Sequence, residues 1–315
     1  MTAVLVTGGA GFIGSHVADA YLAAGYDVTV LDNLSSGRRE NVPARARFVH
    51  ADIGSPEARE LLATGGFSVL NHHAAQMDVR VSVADPVFDA RTNLVGLLNL
   101  LEGARAGSVT RIVFASSGGV VYDDRGTLPH VETSQKLPLS PYGVSKMGSE
   151  YYLAAYARLY GLAVVSLRYA NVYGPRQNPH GEAGVVAIFG KRLTTGAPLV
   201  IYGDGKQTRD YVYVGDVAQA SLAATIGDPP VVDCLDAAAF NIGTGRETSV
   251  NELARLLIAG TGREVPVRHE AARAGELARS ALNCAKAGEV WGWRPAMPLA
   301  DGLKRTYDWI LEVAA

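Results

Sequence analysis

Short β-branched runs alternate with longer amphipathic stretches through the first two-thirds of the chain. Val4–Val6, Val28–Leu31, Arg47–His50, Ser68–Asn71, Ile112–Ala115 and Val164–Arg168 read as buried strands. Between them Ile13–Ala24, Pro86–Ala106 and Pro141–Tyr160 repeat their apolar positions at helical spacing. Strand and helix alternating in this way predict an α/β fold with a doubly wound parallel sheet covered by helices on both faces.

After Arg168 the rhythm breaks. Segment 169–182 is rich in Gly, Pro and Asn, and helical patterns at Gly184–Thr194, Val214–Thr225, Ser249–Ile258 and Leu299–Val313 are separated by Gly-rich turns such as Tyr202-Gly203-Asp204-Gly205. The expectation is a parallel-sheet domain over 1–170 and a smaller mixed α/β C-terminal lobe over 171–315, with a cleft between them. That boundary is soft, because the chain is free to cross between lobes more than once. No internal repeat or low-complexity tract is evident.

Composition narrows the possibilities. Of 315 residues 48% are hydrophobic and 19% charged, enough apolar surface to build a core and too little charge for global disorder. The net charge of −2 gives no bulk electrostatic case for nucleic acid or an anionic membrane. Cys234 and Cys284 are the sole cysteines, so a disulfide scaffold is excluded and a reducing compartment, the cytoplasm, is expected. No signal peptide or transmembrane stretch is expected from the apolar runs.

Candidate chemistry begins in the first turn. Thr7-Gly8-Gly9-Ala10-Gly11-Phe12-Ile13-Gly14 joins the first strand to the first helix, and Gly8, Gly11 and Gly14 have G-x-x-G-x-x-G spacing. Such a loop permits a tight turn, close approach of backbone to a pyrophosphate and close packing of the helix on the sheet. The helix N-terminus adds free N–H groups and partial positive charge. Asp32 ends the second strand 18 residues beyond Gly14, where a ribose-binding acid belongs. It would accept hydrogen bonds from the adenosine hydroxyls and repel a 2′-phosphate, favouring NAD over NADP, although Arg38 and Arg39 lie close behind. Asp52 and Ile53, after the third strand, are candidates for the adenine or simple turn residues.

Tyr142-Gly143-Val144-Ser145-Lys146 opens a helix directly after Pro141. At i and i+4 the phenol and the ammonium share one face. A tyrosine with pKa ~10 is a poor base at neutral pH, and a neighbouring cation favours the phenolate. The fifth strand ends in Ala115-Ser116-Ser117, which would offer hydroxyls to the same cleft.

Together Thr7–Gly14, Asp32-Asn33, Ala74-Ala75, Ser116-Ser117 and Tyr142–Lys146 resemble an extended short-chain dehydrogenase/reductase, with a Rossmann-type first domain. Arg168-Tyr169-Ala170-Asn171-Val172-Tyr173-Gly174-Pro175-Arg176, Gly203-Asp204-Gly205 with Arg209-Asp210-Tyr211, and Gly292-Trp293-Arg294-Pro295 resemble its nucleotide-sugar epimerase branch, closest to the bacterial UDP-glucose (UDP-galactose) 4-epimerases. The resemblance implies an NAD-dependent isomerase of galactose metabolism that inverts C4 of a UDP-hexose, including N-acetylated forms, through a transient 4-keto sugar. It implies that Tyr142 is the base, that Lys146 binds the nicotinamide ribose and tunes Tyr142, and that Ser117 hydrogen-bonds the 4-hydroxyl. Ser116 is the alternative to Ser117, since Gly118-Gly119-Val120-Val121 is one residue longer than in many relatives, and Asp123 replaces an expected glycine. Asn93, Tyr169 and Ala74-Ala75-Gln76 would line the cofactor path, with Asn33 and Ser35-Ser36-Gly37 joining Asp32 at the adenosine end. For the UDP-sugar, Asn171, Gly184-Val185-Val186, Arg209, Arg273 and Glu276 would meet the diphosphate, base or ribose, and Ser280 would stand at the gate beside the C2 substituent. The resemblance further implies a homodimer pairing through Pro86–Ala106 and Pro141–Tyr160.

Competing readings are weaker. Dehydratases place Asp-Glu after the strand-five hydroxyl and decarboxylases a glutamate, where this chain has Gly118-Gly119, which transfer no proton. A UDP-glucuronate 4-epimerase would favour a basic residue after Pro-Arg-Gln, and Asn178 is there instead. A non-catalytic dinucleotide sensor would be expected to lack the Tyr/Lys pair. His72-His73 lacks a third ligand at metal spacing, so no metal is expected. Trp291 and Trp293 read as packing residues, and Tyr151, Tyr152, Tyr156 and Tyr160 as packing or a dimer face.

Overall fold

A computed structural model describes residues 2–123, 125–178, 184–272 and 277–314. Its centre is a seven-stranded sheet built from β1 (Ala3–Thr7), β2 (Asp27–Asp32), β3 (Arg47–His50), β4 (Val69–His72), β5 (Arg111–Ser117), β6 (Ala163–Tyr169) and, from far along the chain, a strand over Ala239–Ile242. The spatial order is β3-β2-β1-β4-β5-β6 followed by that last strand, and all pairings are parallel. The order reverses between β1 and β4, so their C-terminal ends, Thr7 and His72, border the crevice where such sheets bind ligands.

Helices α1 (Phe12–Ala23), α2 (Pro56–Thr64), α3 (Val79–Ala84), α4 (Pro86–Ala90), α5 (Gly96–Ala106), α6 (Gly118–Val121) and α7 (Pro141–Tyr160) belong to the first half. Side chains alternate along each strand and so feed two cores. Leu5 and Leu31 pack with Leu62 of α2, Leu97 and Leu100 of α5 and Leu153 of α7. Val4, Val6, Val28 and Val30 pack on the other face against Val17, Ala18 and Tyr21 of α1.

The expected continuous helix over Pro86–Ala106 is interrupted. Asp85 caps α4 through a hydrogen bond from the Phe88 amide, and a π-helical turn, Arg91–Val95, separates α4 from α5. Asn93 lies in that turn and is tied to Gln76 and Asp89, a constraint the apolar periodicity of the segment does not carry.

The second half contributes β7 (Asn171–Tyr173), β8 (Leu199–Tyr202), β9 (Thr208–Arg209), β10 (Tyr211–Tyr213) and the sheet strand just described, β11 (Ala239–Ile242). Helices α8 (Val185–Thr195), α9 (Val214–Ile226), α10 (Val250–Thr261), α11 (Ala285–Trp291) and α12 (Leu299–Ala314) accompany them. Val217, Ala220 and Ala224 of α9 cover the sheet with Phe240 and Ile242 of β11, so residues beyond 170 contribute to both lobes. The smaller core joins Phe189 and Leu193 of α8, Leu253 and Leu257 of α10, and Leu303 and Tyr307 of α12. Trp291 stacks on Phe240 at 3.9 Å, and the buried Trp293 donates its indole N–H to the Asp216 carbonyl. Among the described residues, no helix is long and apolar enough to cross a membrane.

Candidate active site

The glycine loop is shaped by close approach. Gly8 has φ +69°, and a Cβ there would stand 2.6 Å from the Ala74 nitrogen at the end of β4. A Cβ on Gly14 would lie 2.2 Å from the Gly8 carbonyl oxygen, so any larger residue would push α1 off the turn. Gly11 caps α1 without a side chain, and the first turn holds no acidic residue, which leaves Phe12 and Ile13 at an electropositive helix end.

Asp32 closes the far side of the crevice. Its carboxylate accepts from the Ala10 amide at 3.0 Å and the Leu34 amide at 2.8 Å, which fixes its orientation against the loop Asn33–Gly37. Ser35 and Ser36 are exposed there. Asn33 donates to Asp52 at 2.8 Å, while the Ile53 side chain packs in the core against Gly96. A cradle free of Cβ atoms at a helix N-terminus, with an oriented carboxylate at its edge, fits a dinucleotide with a free ribose 2′-hydroxyl.

Ser140 caps α7 by accepting from the Gly143 amide, with Pro141 at its first position, and this sets Tyr142 and Lys146 at the helix start. Lys146 is buried. It donates to the Ala115 carbonyl at 2.8 Å and lies 5.7 Å from the centre of the Tyr142 ring. Burial pulls its pKa down to about 8, against the opposing charges of Asp89 and Glu150. Tyr142 is half-buried.

Polar bonds connect this helix to the crevice. Asp89 accepts from Ser145 of α7, from Gln76 and from Asn93, and Asn93 exchanges two bonds with the Gln76 backbone. Gln76 follows Ala75 and Ala74, the residue against which Gly8 packs. The side chains of Gln76 and Asn93 are therefore engaged with protein partners. Tyr169 is buried, and its hydroxyl bonds His73 and Ser221. Burial and the Lys146 charge pull His73 down to about 3, so it is neutral at physiological pH; His72 bonds Thr7 at 2.7 Å.

The two serines diverge. Ser116 is buried and gives its hydroxyl to Glu150, whereas Ser117 is half-buried and its side chain has no hydrogen bond among the described residues.

A second cluster gathers from the smaller lobe. The Asn171 amide donates to the Asp210 carbonyl. The Ser280 amide donates to the Thr208 carbonyl beside Arg209, and Arg209 in turn bonds that carbonyl. Buried Asp210 accepts from the Thr244, Gly245 and Leu282 amides, which holds the 280–283 segment in place. Leu282 packs where a Cβ on Gly118 would be, 2.5 Å away, so this cluster adjoins the turn that follows Ser117. Gly184 caps α8 without a side chain, Val185 and Val186 begin that helix, and Val186 enters the core. Arg273 and Glu276 lie outside the described residues.

Sequence reasoning overlooked a buried ionic group beneath the site. Arg168 of β6, with no exposed side chain, meets Glu150, Asp236, the Tyr122 hydroxyl and the Glu132 carbonyl. Burial works against its charge, but the Glu150 carboxylate raises its pKa overall. The one signal for it was an arginine inside an otherwise apolar strand pattern.

Residues 4–232 match the NAD dependent epimerase/dehydratase family. A UDP-glucose 4-epimerase of Mycolicibacterium smegmatis is 45% identical over 312 residues, covering 96% of this chain and 97% of the relative. The crystal structure of a Thermotoga maritima UDP-glucose 4-epimerase with UDP-glucose is 44% identical, with a TM-score of 0.95 and both chains covered in full. That of a Thermus thermophilus UDP-glucose 4-epimerase in complex with NAD is also 44% identical over the full length of both, with a TM-score of 0.90. This chain belongs to the NAD dependent epimerase/dehydratase family.

Proposed function

We propose that the protein is an NAD-dependent isomerase that reversibly inverts C4 of a UDP-hexose, interconverting UDP-glucose and UDP-galactose. The observation that carries this reading is the buried Lys146 ammonium, held beside Tyr142 and against the strand that ends in Ser117. NAD, when bound, would supply a hydride acceptor at C4 that also serves as donor for the return. Gly8, Gly11, Phe12, Ile13 and Gly14 would hold its pyrophosphate. Asp32, with Asn33, Ser35, Ser36 and Gly37, would hold its adenosine ribose, Asp52 and the backbone of Ile53 its adenine, and Ala74, Ala75, Gln76, Asn93 and Tyr169 would line the rest of its path.

Tyr142, as phenolate, takes the proton from the sugar 4-hydroxyl and returns it at the end of the cycle. Lys146 keeps the phenolate accessible by its charge and binds the nicotinamide ribose. Ser117, whose hydroxyl has no protein partner among the described residues, donates to the same sugar oxygen. Asn171, Gly184, Val185, Val186 and Arg209 contact the nucleotide diphosphate, with Arg273 and Glu276 completing that side. Guanidinium suits the diphosphate because its donors match phosphate oxygens in pairs.

We further infer a homodimer and a place in the galactose metabolism of the cytoplasm. Val87, Phe88 and Val95 on the α4–α5 segment and Val144 and Tyr151 on α7 are large apolar side chains between 49% and 62% exposed, a surface suited to a second copy. Cys234 and Cys284 are free thiols, as a reducing compartment favours.

The test is to mix purified protein with UDP-galactose and follow UDP-glucose. Formation of UDP-glucose without net change in NADH is expected, and no conversion by NAD-loaded protein would overturn the proposal.

A further inference from the structure

Glu150 stands two turns after Tyr142 and one after Lys146 on α7, yet it is as buried as any core residue. Its side chain is 1% exposed and that of Arg168 is not exposed at all. The Glu150 carboxylate accepts from Arg168 Nε at 3.0 Å and Nη2 at 2.6 Å, and from Ser116 Oγ at 2.5 Å. Arg168 then reaches Asp236 at 3.0 Å, and Asp236 also pairs with Lys136.

A buried ion pair is a weak source of net stability. Replacing a buried ion pair with well-packed apolar side chains is often neutral or stabilising. Its placement suggests a different use. One end holds Ser116, between Ala115, whose carbonyl receives the Lys146 ammonium, and Ser117. The other end lies on the helix that carries Tyr142 and Lys146.

We propose that Glu150 is a positioning residue: clamped by Arg168, its carboxylate ties α7 to the end of β5 through Ser116 and sets a negative charge one turn from Lys146. This rests on the reading that Tyr142 and Lys146 carry the chemistry. The groups around Lys146 leave this task to few candidates. Asp89 faces it from α4, and Glu150 and Tyr142 from its own helix. His72 at the end of β4 and His73 just after it are held neutral by burial. Arg168 of β6 and Asp236 are engaged with each other and with Glu150 and Lys136. Asp89 and Glu150 are the two negative charges that counter the burial of Lys146.

The sign follows directly. Without the Glu150 charge Lys146 would lose its proton at lower pH, so the alkaline limb of the rate profile should move down.

The test uses NAD-loaded protein with Glu150→Gln, which preserves shape and removes charge. We expect kcat for UDP-galactose to fall about tenfold or more, KM to stay within about twofold, and the alkaline limb of kcat to shift down by about one pH unit. Ser116→Ala cuts the tie and leaves the charge, so it should lower kcat without moving the limb. Glu150→Gln leaves Arg168 facing a neutral partner. The double variant Glu150→Gln/Arg168→Gln, which buries no lone charge from this pair, is therefore measured alongside and should show the same displaced limb. A folded, NAD-retaining single or double variant whose pH profile superimposes on wild type would overturn the charge role; unchanged kcat in Ser116→Ala would overturn the tie. Tyr142→Phe in the same series separates the two levels. If Tyr142→Phe remains active, the reading of the site itself fails; if it is dead while the Glu150 variants behave as wild type, only the present proposal does.

Discussion

Lys146 gives its ammonium to the backbone carbonyl of Ala115 at 2.8 Å, across the joint between α7 and β5. That bond places a cation within the protein at the level where β5 ends in Ser117. Tyr142, one turn earlier on α7, shares the cation's face. The proposed catalytic roles rest on that geometry, and they are the most direct to test.

Tyr142→Phe removes one hydroxyl from a half-buried position and leaves the helix cap, Ser140 with Pro141, untouched. A positioned base contributes about 10²–10⁴-fold to proton transfer. Turnover of UDP-galactose should therefore fall by about 100-fold or more, with bound NAD and melting temperature close to wild type. Near-normal epimerisation by the variant would remove Tyr142 from the mechanism.

Lys146 should weaken the fold it serves. Burial lowers its pKa from 10.5 to about 8, and at about 1.4 kcal/mol for each pH unit this corresponds to a cost near 3 kcal/mol. The cost is present in full below pH 8, because the unfolded chain holds the proton without penalty. Between pH 8 and 10.5 the unfolded state binds the extra proton, so stability rises with pH through that window. Lys146→Met removes the charge. It also leaves the Ala115 carbonyl unpaired, worth about 1 kcal/mol, while Glu150 and Asp89 keep other partners. Lys146→Met should thus be inactive and retain NAD poorly, and its cofactor-free form should be more stable than cofactor-free wild type by about 1–2 kcal/mol at pH 7, with the gap closing towards pH 10. Chemical denaturation at the two pH values reads this out, and a variant less stable at both would contradict it.

Much of the site was legible in the chain because local rules and site chemistry coincide. Gly8 and Gly14 need to be glycine for steric reasons, and the same sterics form the crevice. Tyr142 and Lys146 are visible because helical spacing alone brings i and i+4 together. What escaped depends on partners distant in sequence. Glu150 reads as an ordinary polar helix position until Arg168, 18 residues on, is folded against it. Counting along β5 leaves Ser116 and Ser117 equivalent, and the proposed role of Ser117 rests on Glu150 taking the Ser116 hydroxyl. β11 reads as part of the smaller lobe until its pairing with β6 is seen.

Asp32 should govern cofactor choice. Its carboxylate is oriented by two backbone amides, with no guanidinium bonded to it among the described residues. Arg38 pairs loosely with Glu40 instead, at 3.7 Å. Denaturing the purified protein should release NAD rather than NADP. Asp32→Ala should weaken NAD binding by about tenfold or more, the scale of hydrogen bonds to a charged group, and narrow the preference over NADP. NADP as the released dinucleotide would reverse the assignment.

Sugar breadth is the last and most exacting test. Ser280 is small and buried, and its amide is fixed to the Thr208 carbonyl next to Arg209, at the edge of the proposed diphosphate site. A closing residue next door is the obvious objection, and Arg279 is the candidate. Its guanidinium, however, makes two bonds to Glu247, at 2.8 Å and 2.5 Å, and Glu247 is anchored in turn by the Thr208 hydroxyl. Arg279 is thereby held at the surface, with its side chain 62% exposed. Space beside the C2 substituent should remain, and UDP-N-acetylglucosamine should be turned over alongside UDP-glucose. Ser280→Tyr fills that space. It should lower kcat/KM for the N-acetylated sugar by about tenfold or more relative to UDP-glucose, the discrimination available from a steric contact of ~1–3 kcal/mol. Equal loss for both sugars would mean that Ser280 supports the site without gating it.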